Sequence, residues 1–272
     1  NTFGNLTLTN TVGNAINLLN STGLNSFLDN VTISGATVDG IFAQGISGIA
    51  KFQNPVTINS RNGVGVNLQN NSGVVQFLDS LTLGTPNSGG VNDPGINFQG
   101  SSGQAIFKDI NVKGSFGSGI NIGGPVAADQ NTGKFQALGF TTISQATRQS
   151  ILLFNDASNV QFNGISITER GDRGIEVTNH SGTANFGGLT TIQNENGVGN
   201  AALLVQNSTG TIQFNNVSAF DTQGGEPGAW IHDNTGVDSF KSLSVQSTGT
   251  TAVEITRNST VNISGGNVNA TN

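Results

Sequence analysis

A nine-residue pattern that returns about every 25 residues is the feature that most constrains this chain. In the copy Gly65–Gly73, GVNLQNNSG, a small residue precedes alternating apolar and polar residues, and an Asn-containing segment leads to a closing Gly. A period of this length predicts a solenoid of stacked coils. Ten copies, spaced 24 to 31 residues apart, begin at Ala15, Gly40, Gly65, Gly95, Gly119, Ser150, Gly174, Ala202, Gly228 and Ala252.

The second, fourth and sixth positions of the pattern define its local structure. The second and fourth are apolar in all ten copies, which predicts a strand with one buried face. The sixth is Asn or Gly in eight copies, the residues that best tolerate left-handed backbone. We therefore expect a sharp corner at this position in each coil.

Phenylalanine recurs in one register after that corner. It lies four residues after the ninth position in eight copies, and Phe135 joins the column after a longer corner. Stacked rings inside the solenoid are the natural interpretation. A second apolar–polar–apolar triplet follows, as in Val31–Ile33 and Leu81–Leu83. The eight residues in register are Phe27, Phe52, Phe77, Phe107, Phe162, Phe186, Phe214 and Phe240.

These columns predict the fold class. We expect an all-β, single-stranded, right-handed parallel β-helix of about ten coils, with about 25 residues and three short strands per coil. Right-handed winding is the default for parallel crossovers. The repeat covers residues 1–272 as a single domain, and because its pattern continues to both ends we expect a segment of a longer protein.

Composition excludes several function classes. Charged residues are 10 % of the chain, the net charge is −6 and the pI is about 4.7, so neither nucleic acid nor an anionic membrane surface is an expected partner. The chain has no cysteine, which argues against disulfides and thiolate metal sites and favours an exported protein. No apolar run is long enough to insert into a membrane.

The recurrence resembles right-handed parallel β-helix proteins over essentially the whole chain. Within that class, the cysteine-free, Asn/Thr/Gly-rich style is similar to passenger and adhesin regions of secreted bacterial surface proteins, of the autotransporter or polymorphic outer-membrane protein type. Phe27-Leu28-Asp29-Asn30 matches the FxxN motif of the latter, and Gly89-Gly90-Val91 is a partial match to GGA[ILV]. The resemblance implies an extracellular or cell-surface location.

The outward columns of the repeat show little that is typical of an enzyme. No two carboxylates are adjacent there, since Glu176 has Leu152 and Leu204 above and below it, whereas glycoside hydrolysis needs paired carboxylates. Pectinase-type signatures are absent. His180 and His232 are expected to be isolated, exposed polar residues. We predict no catalytic residue, metal site or cofactor.

An apolar patch is the main candidate binding surface. Leu152, Phe154, Leu204 and Trp230 fall on one outward face, where most coils carry Asn or Gln. Two interpretations stay open: the nearby loops 84–94, 193–201 and 221–228, or a flanking domain, cover the patch, or it is an exposed contact for glycan or protein. The candidate binding residues, including two polar members of the same columns, are Leu152, Phe154, Glu176, Leu204, Trp230 and His232.

One cluster of charges stands out, in the segment from Glu169 to Glu176. Its members predict either a self-compensating salt-bridge turn on the surface or a contact for sugar or calcium. The cluster comprises Glu169, Arg170, Asp172, Arg173 and Glu176.

Three functions remain from these observations. The first is a non-enzymatic, extracellular structural or adhesive rod that binds glycan, or a host or neighbouring-cell protein, through one strand face. The second is a polysaccharide-active enzyme of lyase, hydrolase or tailspike type. The third is a self-assembling filament or surface-layer subunit, because uncapped solenoid ends expose unpaired backbone groups that end-to-end association would satisfy.

Overall fold

The computed structural model shows an all-β parallel solenoid of about ten turns. It describes residues 1–59, 61–84, 93–168, 171–194, 200–221, 225–248, 251–258 and 260–270. In this part of the chain one 3-10 helix, Ala127–Asp129, accompanies the strands. The strands are β1 Thr2–Phe3, β2 Leu6–Thr9, β3 Ile16–Leu19, β4 Leu24–Phe27, β5 Val31–Ser34, β6 Ile41–Gln44, β7 Ile49–Phe52, β8 Val56–Asn59, β9 Val66–Gln69, β10 Val74–Leu83, β11 Ile96–Gln99, β12 Gln104–Val112, β13 Ile120–Gly123, β14 Lys134–Ala137, β15 Thr141–Ser144, β16 Ile151–Phe154, β17 Asn159–Phe162, β18 Ile165–Thr168, β19 Ile175–Thr178, β20 Thr183–Asn194, β21 Leu203–Gln206, β22 Thr211–Asp221, β23 Ala229–His232, β24 Val237–Ser247, β25 Val253–Thr256, β26 Thr260–Ile263 and β27 Val268–Ala270.

The nine-residue pattern forms one sheet of ten parallel strands. We number the coils 1 to 10 by their strand in this sheet, in the order β3, β6, β9, β11, β13, β16, β19, β21, β23 and β25. Equivalent pattern positions are paired, so that Ile96 lies between Val66 and Ile120. The register predicted from the apolar columns is thus confirmed.

The other described strands belong to a second, seventeen-stranded sheet. The prediction of three strands per coil is confirmed in coils such as coil 6, where β16, β17 and β18 are separate. In five coils the second and third strands are continuous, as β10, β12, β20, β22 and β24. Two of the pairings between these strands contain a register shift, between Phe77 and Ser80 and between Phe186 and Leu189.

A column of phenylalanine rings fills the interior. Neighbouring ring centroids from Phe3 to Phe240 lie 4.2 to 5.6 Å apart, and the rings of coils 1 to 9 are almost fully buried. Phe135 is in the stack, but its backbone pairs with Ala105 while Ala137 pairs with Phe107. The ring therefore enters from the neighbouring inward column and is tilted by 34° and 37° against its two neighbours.

The predicted corners adopt left-handed backbone at the sixth position of the pattern in nine coils. The φ angle is 49° at Asn20, 57° at Asp233 and 51° at Arg257. Coil 5 differs, because Gly123, with φ of 87°, takes the left-handed conformation in place of Gly124. Its corner is longer, and the 3-10 helix lies within it.

A ladder of buried polar side chains follows these corners, and sequence reasoning missed it. Ser101 N donates to Asn131 Oδ1 over 2.9 Å, and Ser208 N donates to Asn234 Oδ1 over 2.8 Å. His180 is one rung, fully buried, with Nδ1 3.3 Å from Asp156 Oδ2. The expectation that His180 is exposed is wrong, because its side chain points into the corner, where its own backbone N donates to Ser208 Oγ over 3.2 Å.

Candidate functional site

A row of asparagines runs along the outer face of the ten-stranded sheet. Asn121 Nδ2 donates to Asn97 Oδ1 over 2.8 Å, and Asn97 Nδ2 donates to Asn67 Oδ1 over 3.0 Å. Asn67 Nδ2 in turn donates to Asp39 Oδ2 over 2.9 Å. Parallel pairing places the same pattern position one above another, so identical side chains come within hydrogen-bonding distance. The row therefore forms a rigid polar floor.

This floor lies in a groove with a volume of about 420 Å³. One side is formed by Asp93 and Pro94, at the end of the long loop that returns from coil 3 to coil 4. The opposite side is formed by Gly124 and Pro125, in the long corner of coil 5. Two departures from the regular repeat thus turn a flat sheet into a groove.

The corner insertion explains the second wall. Regular corners place the ladder residue directly after the left-handed position, as Asn71 follows Asn70, whereas Asn131 is separated from Gly124 by the six residues 125–130. The insertion lies over coil 4, where Gly100 N donates to Asp129 O over 2.9 Å. It covers one edge of the asparagine row.

The loop of the first wall is anchored by a buried arginine. Arg61 is fully buried and donates to Gly84 O over 2.7 Å and to Gly114 O over 3.2 Å. It thereby joins the return loops of three successive coils. Burial lowers the pKa of Arg61 to about 10, while Asp93 and Asp39 act in the opposite direction.

The apolar end of the groove is formed by two residues of the predicted patch. Leu152 and Phe154 line the groove and are half-buried. Phe154 pairs with Gly123, which has no side chain beside it on this face of the sheet. These two candidate residues therefore line the same groove as the asparagine row. In the sequence, that row is visible only as frequent Asn and Gln in the outward columns.

The other apolar candidates lie away from the groove. Leu204 is 1 % exposed. Trp230 is half-buried, and its ring lies 4.3 Å from that of His232. The six predicted residues therefore do not form one surface.

His232 belongs to a small polar cluster at the end of β23. It is 7 % exposed, which corrects the expectation of an exposed histidine. Its Nδ1 lies 2.7 Å from Asp233 Oδ2, and Arg257 Nη2 donates to the same oxygen over 2.7 Å. These partners lower the pKa of Asp233, with Arg257 the larger cause and His232 the second.

Glu176 is the centre of a polar network rather than an exposed contact. Its carboxylate accepts hydrogen bonds from Gln149 over 2.9 Å, from Arg173 over 3.2 Å and from Thr178 over 3.1 Å. Arg173 also holds both carboxylate oxygens of Glu226 at 2.9 Å. This carboxylate pair around one arginine was missed, because the two acids are 50 residues apart in sequence.

The network joins the return loops of coils 6, 7 and 8. Glu226 accepts from Ala201 N over 3.0 Å, and Asp172 accepts from Asn200 over 2.6 Å. Burial acts to lower the pKa of Arg173, but Glu226 and Glu176 outweigh it and the pKa is raised. The predicted salt-bridge turn is thus a largely buried clamp, with Arg173 18 % exposed. Glu169 and Arg170 lie outside the described residues, as does the Gly89-Gly90-Val91 motif.

The groove differs chemically from that clamp. Asp93 is the single carboxylate among the described residues that line it, and Arg148 is the single cation among them. Elsewhere in the described ranges, no group of three or more His, Cys, Asp or Glu side chains could hold a metal ion. A search of these same residues for a helix long and apolar enough to cross a membrane found none.

The chain matched no protein-family model, no curated protein and no solved structure.

Proposed function

We propose that this protein is a non-enzymatic, extracellular rod of a bacterial surface or secreted protein, with an adhesive groove on one sheet. The observation that carries the proposal is the combination of an unbroken phenylalanine column over nine coils with a groove made by two local insertions. A regular scaffold with insertions beside one face is a common design for holding a binding surface away from its anchor.

The absence of cysteine supports an extracellular location, as does the style shared with passenger and adhesin regions. Labelling intact source cells with a membrane-impermeant reagent tests this part of the proposal. A protein that becomes labelled only after cell lysis would contradict it.

Small-angle X-ray scattering tests the rod. Ten stacked coils at strand spacing give a particle about 50 Å long with a uniform cross-section. We expect a monomeric scattering profile of that shape. A globular profile, or one with a mobile half, would contradict a rigid spacer.

A polysaccharide-active enzyme is the main alternative. Hydrolysis by acid–base chemistry requires two carboxylates about 5–9 Å apart across the bound sugar, and Asp93 is alone among the described lining residues. Incubation with neutral and acidic polysaccharides, followed by measurement of new reducing ends and of unsaturated products, separates the two functions. Cleavage that Asp93→Asn abolishes would establish the enzyme.

A filament subunit is the second alternative, and the end coils favour it. Phe3 at one end is 38 % exposed although its partner Phe27 is buried, and Val268 at the other end is 61 % exposed although its partner Val245 is buried. Exposed parallel strand edges at the two ends can pair with each other. Sedimentation over a range of concentrations distinguishes a dispersed rod from an assembling one.

A further inference from the structure

We infer that the groove binds an uncharged, polyhydroxylated ligand, a segment of neutral glycan that lies along the coil-stacking axis over coils 3 to 6. The inference rests on the proposed adhesive role of the groove and names its ligand class. It follows from three features: the hydrogen-bonding groups left free on the floor, the apolar end, and the balance of charge.

The asparagine row fixes which polar atoms remain available. Asn97 Nδ2 donates to Asn67 Oδ1 and to Gln99 Oε1, and Asn121 Nδ2 donates to Asn97 Oδ1 and to Gly123 O, so both donors of each amide are engaged. Asn121 Oδ1 has no partner among the described residues, nor does Gln99 Nε2. The floor therefore offers an acceptor and a donor that are already oriented.

This mixture suits hydroxyl groups. A hydroxyl donates one hydrogen bond and accepts others, so neighbouring amide oxygens and nitrogens satisfy it from both sides. A phosphate or carboxylate only accepts, and would meet Asn121 Oδ1 with no proton between them. An ammonium only donates, and would meet Gln99 Nε2 in the same unfavourable way. The free groups thus select a neutral hydroxylated ligand.

The apolar end supplies the second kind of contact. Phe154 and Leu152 lie one coil beyond Asn121, and both are half-buried at the groove surface. Sugar rings carry apolar C–H faces as well as hydroxyls, and an aromatic side chain provides a flat partner for such a face. Pockets of about 300–1,000 Å³ with a few directed polar groups are the usual form of small-ligand sites.

The dimensions set the direction of the ligand. The floor extends from Gln69 on coil 3 to Phe154 on coil 6, or about 14 Å at strand spacing. Across the groove, the walls at Pro94 and Pro125 limit the width. A linear chain therefore fits along the stacking axis rather than across it. Asp93 and Arg148 give the lining residues no net charge, so neither an acidic nor a basic polymer is favoured.

Titration calorimetry with neutral and acidic hexasaccharides tests the inference. The probes are hexaoses of glucan, mannan and xylan, with hexagalacturonate as the acidic counterpart. We expect at least one neutral hexaose to bind with a dissociation constant below about 1 mM. The uronate should bind at least about tenfold more weakly, because the floor presents an unneutralised acceptor.

Two variants locate the site. Phe154→Ala removes the aromatic contact and should weaken neutral-glycan binding about tenfold. Gln99→Ala removes a free donor and should weaken it by a similar factor. Phe220→Ala is the matched control, because Phe220 is an exposed aromatic side chain of β22, in the seventeen-stranded sheet. Circular dichroism and melting curves confirm that each variant is folded.

The outcomes separate the ligand class from the proposed function. No binding of any neutral hexaose, or a preference for the uronate, would overturn the inferred ligand class. The proposed rod would still stand in that case if the scattering profile is rod-shaped. Binding that Phe154→Ala and Gln99→Ala leave unchanged would also overturn it. Binding followed by cleavage of a neutral oligosaccharide would support the inferred ligand class but contradict the proposed non-enzymatic function.

Discussion

Asp238 shows how much one side chain can matter at the residue scale. It is 1 % exposed and lies on an inward column, between Ile212 and Val261. Asn234 donates to its Oδ2 over 2.9 Å, while Oδ1 has no partner in the described part of the chain. Burial raises the pKa of Asp238 from 3.8 to about 6, and the Asn234 bond only partly offsets it.

The raised pKa makes stability fall as pH rises. Below about pH 4 the carboxyl is protonated in both folded and unfolded chains, and its ionisation then has no effect on the free energy of unfolding. Between about pH 4 and pH 6 the unfolded chain loses its proton first, so folding becomes less favourable by about 3 kcal/mol in total. Asp238→Asn removes the titration. We expect it to melt above the wild type at pH 8, with the two curves converging at pH 4.

The control for this prediction is Asp79→Asn, the same substitution on a partly exposed residue, whose carboxylate lies 3.7 Å from Lys108. Melting temperatures of both variants and of the wild type are measured from pH 4 to pH 8. A melting temperature of Asp238→Asn that runs parallel to that of the wild type over this range would show that the Asp238 carboxyl is not the group that titrates.

At the scale of elements, the corner of coil 5 links the regular repeat to the groove. When residues 125–130 are treated as an insertion, Gly124-Asn131-Thr132-Gly133 aligns with Asn70-Asn71-Ser72-Gly73. The same alignment places Ala137, not Phe135, at the phenylalanine position, as the strand pairing shows. The tilted ring of Phe135 keeps the aromatic column continuous although its coil is the irregular one.

Deleting residues 125–130 should therefore preserve the rod and open the groove. None of the residues of the 3-10 helix within the insertion is buried, so little apolar area is lost. We expect a melting temperature within a few degrees of the wild type and a loss of neutral-glycan binding of at least about tenfold, because Pro125 leaves the wall. Scattering and calorimetry measure the two effects. Unfolding on deletion would show that the insertion holds the coil together.

The phenylalanine column gives a second prediction at this scale. Phe77 is 1 % exposed, whereas Phe3, at the end of the column, is 38 % exposed. Phe77→Ala should lower the free energy of unfolding by about 3–5 kcal/mol, the range for aromatic residues deleted from a core. Phe3→Ala should lower the free energy of unfolding much less, because water already reaches the ring. Equal costs in denaturant melts would contradict a closed interior column.

At the scale of the whole molecule, each coil contacts mainly its immediate neighbours, and stability is close to a sum of local terms. Among the described residues, Arg61 and Arg173 are exceptions, since each joins loops that are two coils apart. Both span a coil whose return loop is longer than the regular one, coil 3 and coil 7. Long loops therefore coincide with added connections between coils.

This organisation predicts how paired substitutions combine. Phe77 and Phe107 have ring centroids 4.9 Å apart, whereas Phe77 and Phe214 lie in coils 3 and 8. The losses in unfolding free energy caused by Phe77→Ala and Phe214→Ala should add within about 0.5 kcal/mol in the double variant. For Phe77→Ala and Phe107→Ala the double variant should depart from the sum by more, since these two sites share contacts. Equilibrium denaturation of the double variants measures both. Non-additivity for the distant pair would indicate coupling along the whole rod.

The sequence by itself determined the strands of the nine-residue pattern, the corners and the phenylalanine column. These depend on periodicity and on the backbone preference of Asn and Gly, which are local properties. The outward positions of Leu152 and Phe154, which line the groove, also follow from the pattern.

Only the tertiary structure decided which outward residues act together. The stacking of coils placed Asn67, Asn97 and Asn121 in one hydrogen-bonded row, although 24 to 30 residues separate them. It also buried Leu204, His180 and Glu176, whose positions in the pattern predict exposure. Gln149, from the return loop of a neighbouring coil, donates to Glu176, and Asp156, from the neighbouring corner, lies 3.3 Å from His180. Whether an outward side chain is buried depends on contacts across coils, and the period of the repeat carries no information about loops that depart from it.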